Sequence, residues 1–206
     1  MCRQSTLSTV RDLQAEFGPI DIYLFDQILR RRISPGMIIL DAGCGSGRNL
    51  IYFLNEGYEV FGCDADRRAI SAVRRLASAL PAENFRCESI ESMSFPDAFA
   101  DVALSSAVLH FARDDAQFRA MLLGGWRALR PGGMFFCRLA SSIGIESRIR
   151  QIEGRRHRLP DGSVRYLVDE GLLMAYTSEL GATLLDPLKT TVVQNQRSMT
   201  TWILQK

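Results

Sequence analysis

At 206 residues, 47% hydrophobic and 23% charged, the chain has the size and composition of one soluble globular domain with a full core. Its formal net charge of +2 argues neither for nor against nucleic acid, and no apolar run approaches the roughly 20 residues of a membrane span. The five cysteines (Cys2, Cys44, Cys63, Cys87, Cys137) form no CxxC pair, which points to reduced, largely buried thiols in a cytoplasmic protein and to no metal site.

Met1-Cys2-Arg3-Gln4-Ser5-Thr6 has no apolar centre, so a secretory leader is not expected. Residues 1–20 carry no clear period, and Phe17-Gly18-Pro19 is a break. Residues 21–32 place Ile22, Phe25, Ile28 and Leu29 at helical spacing. The closing Arg30-Arg31-Arg32 reads as a solvated helix C-terminus, where the macrodipole favours cations. Ser34-Pro35-Gly36 turns the chain into residues 37–40, an apolar run short enough to be a buried strand. Asp41-Ala42-Gly43-Cys44-Gly45-Ser46-Gly47 follows, then a helical pattern (Leu50, Ile51, Phe53, Leu54) closed by Asn55-Glu56-Gly57. A second strand, residues 58–63, ends on Asp64. Strand, glycine-rich turn, helix, strand and acid make the first half of a nucleotide-binding α/β sheet. The glycines let backbone approach a ligand, and the acid can take two ribose hydroxyls.

Residues 66–80 predict a helix capped by Asp64 or Asp66 and stopped by Pro81. A short third strand (84–88), an irregular stretch (89–98) and a fourth strand (101–105) follow. A helix over 114–130 ends in Pro131-Gly132-Gly133 and leads to a fifth strand, 134–140. This β–α alternation predicts a doubly wound, mostly parallel sheet in a three-layer α/β/α fold. Residues 141–166 break the rhythm: they are polar and arginine-rich, with a turn at Pro160-Asp161-Gly162-Ser163. A helix over 168–180 stops at Gly181. Strands over 183–194 and 199–204 flank a hairpin at Asn195-Gln196-Arg197. No repeat or linker divides the chain, so a single domain over 1–206 is expected, with an N-terminal helical cap (1–36) and an insertion (141–166).

The dinucleotide fingerprint is G-x-G-x-x-G, whose third glycine packs helix against strand. Gly43 and Gly45 fit, but Arg48 stands at the third position, which speaks against NAD. Taken in order, the DAGCGSG loop, Asp64, Glu88-Ser89-Ile90, Met93-Ser94-Phe95-Pro96, Asp101-Val102 and Leu129-Arg130-Pro131-Gly132-Gly133 resemble the landmarks of the class I, seven-strand S-adenosylmethionine (SAM)-dependent methyltransferases. The likeness covers nearly the whole chain. Gly47-Arg48-Asn49-Leu50 with Asn55-Glu56-Gly57-Tyr58-Glu59-Val60 further resembles the tellurite-resistance-type subgroup of small-molecule methyltransferases.

The resemblance implies a seven-stranded sheet with a terminal antiparallel strand, which the hairpin suits independently. It implies SAM as cofactor and S-adenosylhomocysteine as product. Asp41, Gly43, Gly45 and Gly47 are then expected around the methionine moiety, with Asp41 nearest its ammonium. Asp64 is expected at the ribose, Glu88 and Ile90 at the adenine, and Ser105 at the methionine end of the fourth strand; Cys44, Ala65 and Ser89 adjoin these in the cofactor site. Methyl transfer from a sulfonium is an in-line displacement, so alignment and exclusion of water are the main tasks, and a base is needed only if the acceptor must lose a proton early. His110, after the fourth strand, is the candidate base; His157 reads as surface. Tyr23, Arg48 and Arg138 are candidates for the acceptor site. The resemblance implies that the insertion and the helix around Tyr23 cover it. Arginines there favour an acidic acceptor, or are a solvated loop balanced by Glu146, Glu153 and Asp161.

A small-molecule acceptor is expected. No (Asp/Asn/Ser)-Pro-Pro-aromatic box follows the fourth strand, where Ser105-Ser106-Ala107-Val108 stands, and no basic stripe with interleaved aromatics suggests nucleic acid. The alternatives are a non-catalytic SAM- or partner-binding protein on the same fold and, more distantly, an NAD-dependent oxidoreductase.

Overall fold

The computed structural model describes residues 12–206; the readings of Met1-Cys2-Arg3-Gln4-Ser5-Thr6 and of the Cys2 thiol lie outside the described residues. The elements in chain order are α1 (Leu13–Phe17), α2 (Ile22–Leu29), β1 (Ile38–Ala42), α3 (Ile51–Asn55), β2 (Glu59–Cys63), α4 (Arg67–Leu76), β3 (Phe85–Arg86), β4 (Ala100–Ser106), α5 (Asp115–Ala128), β5 (Leu129–Ala140), β6 (Arg150–Glu153), β7 (Arg156–Arg158), β8 (Val164–Tyr166), α6 (Glu170–Glu179), β9 (Thr183–Leu184), β10 (Lys189–Val193) and β11 (Arg197–Gln205). Among the described residues no helix is long and apolar enough to cross a membrane.

Aspartate begins most of the helices. Asp12, Asp21, Asp66, Asp114 and Asp169 stand in extended backbone at the N-caps of α1, α2, α4, α5 and α6, and each carboxylate accepts a first-turn amide. Each cap stabilises its helix by about 1 kcal/mol. Because Asp66 caps α4, Asp64 is left at the end of β2 for another task. The α3 helix has no such cap and rises directly from the glycine loop through Leu50.

The main sheet runs β10-β11-β5-β4-β1-β2-β3. Pairings among β3, β2, β1, β4 and β5 are parallel, and β11 is antiparallel to both its neighbours. This is the expected mostly parallel seven-stranded sheet with one reversed strand. The expected single strand over 183–194 is interrupted: β9 and β10 both pair with β11, separated by residues 185–188. Pro187 cannot donate to the ladder, and Asp186 turns inward to meet Arg32 Nη1 at 2.9 Å, Gln27 Nε2 at 3.2 Å and Arg30 Nη1 at 3.5 Å. Arg30 and Arg32 are therefore fastened to the sheet's edge rather than merely solvated.

Strand side chains alternate between two cores. Leu40, Phe135 and Trp202 point toward α5 and α6, with Phe118, Leu122 and Tyr166. Ile39, Phe136 and Ile203 point toward α2, α3 and α4, with Leu24, Phe53 and Val73. Three expectations change in detail. The helix expected over 66–80 ends at Leu76 before Pro81 acts. The third strand keeps two residues. Pro131-Gly132-Gly133 lies inside β5 at a register shift opposite Ala100 and Val102. Within the insertion, β6, β7 and β8 form a separate three-stranded antiparallel sheet, with the expected turn at 160–163 joining β7 to β8.

Candidate functional site

The glycine loop is strapped to the end of β2. The Gly43 and Cys44 amides both donate to Cys63 O at 2.9 Å, and the Gly45 amide donates to Asp64 Oδ2 at 2.9 Å. Gly43 adopts φ +93°, where a Cβ would stand 2.5 Å from Val108, so only glycine lets the loop pass beneath the segment after β4. In front of the loop opens a cavity of about 530 Å³, within the usual range for ligand sites. Gly43, Cys44, Gly45, Arg48, Asp64 and Ala65 form one side of it, and Ser89 and Ile90 another. The Asp64 carboxylate is fixed at both oxygens, since Oδ1 accepts the Asp66 amide at 2.9 Å, and its remaining lone pairs face the cavity wall.

Four expected residues are not among those lining this cavity. Gly47 (φ +88°) packs against α4, where a Cβ would meet Leu76 at 2.8 Å and Val73 at 2.9 Å. Glu88 spends both oxygens on Ser94, accepting its amide and its hydroxyl at 2.7 Å each. Ser105 faces away because strand residues alternate; its buried Oγ has no partner among the described residues, and it is Ser106 that lines the cavity. Asp41 lies behind the loop, buried. Burial pushes its carboxyl up to about 7, against the pull of Arg48 and with the added repulsion of Asp64. Among the described residues nothing hydrogen-bonds it, and the loop amides go to Cys63 and Asp64 instead.

The wall also holds residues the sequence did not single out: Glu91, Gln117, Met121, Val108 and Phe111. Gln117 Nε2 donates to Glu91 at 2.9 Å, tying α5 to the loop after β3. That contact depends on Gly124, where a Cβ would stand 2.3 Å from Ile90 O. Gly124→Ala gains about 1 kcal/mol of helix propensity, but the overlap with backbone costs more. The variant is expected to melt lower than the wild type by the equivalent of about 1–2 kcal/mol, where an ordinary exposed helix glycine would melt higher; thermal unfolding decides the sign.

A second cavity, about 370 Å³, shares Ala107 and Phe111 with the first. Ala107 holds φ +64°, an unfavourable backbone for alanine, fixed by its amide donating to Arg138 O at 2.7 Å. The second cavity is walled by Arg138, His110, Leu159, Arg165, Arg197 and Met199, among others, so the insertion sheet and the β10–β11 hairpin both reach it. Arg138 and Arg48 converge on Asp21, which is buried at the start of α2: Arg138 Nη1 lies 3.0 Å from Oδ2, Ser106 Oγ 3.3 Å and Arg48 Nη2 3.8 Å. No role for Asp21 is read from the sequence; its meeting with these arginines needs the sheet. Tyr23 is drawn to the hairpin, its hydroxyl 2.6 Å from Thr191 Oγ1, with Arg138 5.4 Å above its ring; it lines neither cavity.

His110 lines the second cavity, but its geometry corrects the role of base. Nδ1 accepts the Ala140 amide at 3.1 Å, so the neutral ring carries its proton on Nε2. Burial, with a smaller push from Arg165, lowers its pKa to about 4. At neutral pH the free nitrogen donates and does not accept.

Residues 40–137 match the protein family described as Methyltransferase domain. Among curated proteins the chain is similar to an uncharacterised methyltransferase of Synechocystis (32% identical over 103 residues, covering 50% of this chain and 47% of that protein). It is also similar to the malonyl-[acyl-carrier protein] O-methyltransferase of Serratia marcescens (31% over 126 residues, 60% of this chain and 47% of that protein). The chain thus spans about half the length of these curated relatives. Among solved structures, the 1,6-didemethyltoxoflavin-N1-methyltransferase of Burkholderia thailandensis, with S-adenosylhomocysteine bound, shares the fold at a TM-score of 0.70 and 21% identity, over 95% of this chain and 81% of that one.

Proposed function

We propose that the protein transfers a methyl group from SAM to a small molecule held in the second cavity; supporting this, residues 40–137 match the family described as Methyltransferase domain and lie on the class I, Rossmann-like fold. The observation that carries this reading is the shared wall: two cavities of ligand size meet at Ala107 and Phe111, at the C-terminal ends of the parallel strands, where open α/β sheets bind ligands.

The residues present fit the cofactor. Asp64 offers its free lone pairs to a ribose diol. Ser89, Ile90 and Met121 give an apolar slot with a polar rim for a flat base. Asp41 is a buried carboxylate with no hydrogen-bonding partner among the described residues, close to a loop that opens on the ligand; an ammonium there supplies the missing charge. When bound, SAM supplies a methyl group on a sulfonium, whose displacement leaves a neutral thioether. The chain's own work is alignment and exclusion of water: the Asp21–Arg48–Arg138 junction holds α2 across the strand ends, and Val108 and Phe111 close the wall between donor and acceptor. No side chain is placed as a general base. The substrates in the names of these similar proteins are malonyl-[acyl-carrier protein] and 1,6-didemethyltoxoflavin, so the choice of a small molecule rests on the size of the second cavity.

Calorimetric titration with SAM and S-adenosylhomocysteine tests the reading, and Asp41 gives it a signature. Its carboxyl sits at about 7 in the free protein against 3.8 for an ordinary aspartate. A bound cation favours the ionised form, so binding expels a proton wherever the free protein still carries it. Titrations in buffers of different ionisation enthalpy are expected to show release of close to one proton near about pH 6, vanishing above about pH 8 and absent in Asp41→Asn. A folded protein that binds neither compound overturns the proposal.

A further inference from the structure

The second cavity is cationic in a way the transfer reaction itself does not require. Arg138 from β5, Arg165 from β8 and Arg197 at the start of β11 line it, against a single carboxylate, Asp161. These come from three separate parts of the chain, so no local sequence run explains their meeting. Arg138 is paired with Asp21, and among the described residues its buried Nε has no hydrogen-bond partner. Arg165 lies 4.8 Å over the Phe111 ring and, among the described residues, donates only to the neighbouring Val164 O. Among the described residues neither Arg165 nor Arg197 forms an ion pair. Asp161 does not answer them directly: Oδ1 is engaged by the Ser163 amide at 2.9 Å and hydroxyl at 2.6 Å, in the β7–β8 turn. His110 is neutral. Counting Asp21 against the nearer Arg138, with Arg48 belonging to the first cavity, and the one carboxylate Asp161 against the pair Arg165 and Arg197, the cavity keeps one uncompensated positive charge. Its remaining wall is apolar, from Leu159, Met199, Ala140 and Val193, with the exposed Phe111 ring at the junction with the first cavity.

Resting on the proposed methyl transfer, we infer that the acceptor is a small monocarboxylate with an apolar or flat body. Arg165 and Arg197 hold its carboxylate, the fork geometry of guanidinium matching the two oxygens, and Phe111 takes its body as a stacking surface. The single net charge selects a monoanion over a neutral molecule, which would leave the arginines desolvated without a partner, and over a phosphate dianion. Arg165 and Arg197 thereby determine specificity without touching the methyl donor.

The test uses protein saturated with S-adenosylhomocysteine and four probes, benzoate and hexanoate with their amides benzamide and hexanamide, followed by ligand-detected NMR. At least one carboxylate is expected to bind about tenfold more tightly than its amide. The preference is expected to shrink with added salt, to fall in Arg197→Gln and to vanish in Arg165→Gln/Arg197→Gln. Exposed Arg197 makes the single variant safe for folding, and S-adenosylhomocysteine affinity, measured in parallel, is expected to be unchanged in both. If neither carboxylate outbinds its amide, or the double variant keeps the preference, the inference falls while the methyltransferase reading stands. If S-adenosylhomocysteine itself does not bind the wild type, it is the methyltransferase reading that falls.

Discussion

Asp64→Ala is expected to weaken S-adenosylhomocysteine binding about a hundredfold or more while leaving the protein folded. Two consequences of the truncation act together. The ribose loses a charged acceptor worth about 1.5–3 kcal/mol for each hydrogen bond, and the Gly45 amide loses the Oδ2 atom that holds it at 2.9 Å, which frees the loop. A net loss of about 3 kcal/mol corresponds to roughly a hundredfold in Kd. The fold does not depend on the side chain, because Asp66 caps α4 through the Arg68 amide. Asp64→Asn keeps one acceptor for the loop or the ribose but no charge, so it is expected to lose about tenfold. Calorimetric titration beside thermal unfolding separates the effects. Unchanged affinity in a well-folded Asp64→Ala would remove Asp64 from the site.

Legibility in the sequence followed the range of the interaction. A cap for α4 at Asp64 or Asp66, the mostly parallel sheet and the hairpin before β11 all follow from contacts a few residues apart or from a periodic pattern, and all are found, the cap at Asp66; the caps at Asp21, Asp114 and Asp169 were not read from the sequence. The insertion was missed as structure because its strands are short and charged on both sides: β6 is exposed along its whole length, so no alternation marks it. The break between β9 and β10 was signalled by Pro187, yet the reason for it, Asp186 reaching Arg32 and Gln27 more than 150 positions away, is a tertiary fact.

The candidate site divides the same way. Gly43 and Asp64 reach the cavity because a glycine turn between strand and helix dictates where they go. Ser105 and Ser106 differ by one step of strand parity, and an error of one residue in register exchanges the two faces. Glu88 carried the right charge at the right position but was captured by Ser94, six residues on, an irregular-loop contact with no period to announce it. His110 shows the limit of reading chemistry from residue type. Its position was right, beside the second cavity, but burial keeps it neutral and one backbone amide, that of Ala140 on β5, fixes its tautomer.

The largest expected effect on stability is on β11. Trp202 on β11 is fully buried, meets Phe135 edge-on at 6.3 Å between ring centroids, and donates Nε1–H to Thr177 Oγ1 on α6 at 3.0 Å. Trp202→Ala removes the apolar area, leaves a cavity and takes away the donor that Thr177 Oγ1 accepts, though that hydroxyl still donates to Leu173 O at 2.8 Å, for a loss of about 4 kcal/mol, a large part of the roughly 5–15 kcal/mol by which a domain is stable. Trp202→Phe keeps most of the volume and is expected to cost less than half as much. The cavity that contains Asp64 is built from residues 43–121, none of them on β11. At a temperature where the alanine variant stays folded, its S-adenosylhomocysteine affinity should therefore match the wild type. Urea unfolding is expected to show a lower midpoint at the same m-value. A lower m-value as well would mean that α6 and β11 unfold separately from the rest of the sheet, and a loss of affinity would mean that the reversed strand positions the glycine loop.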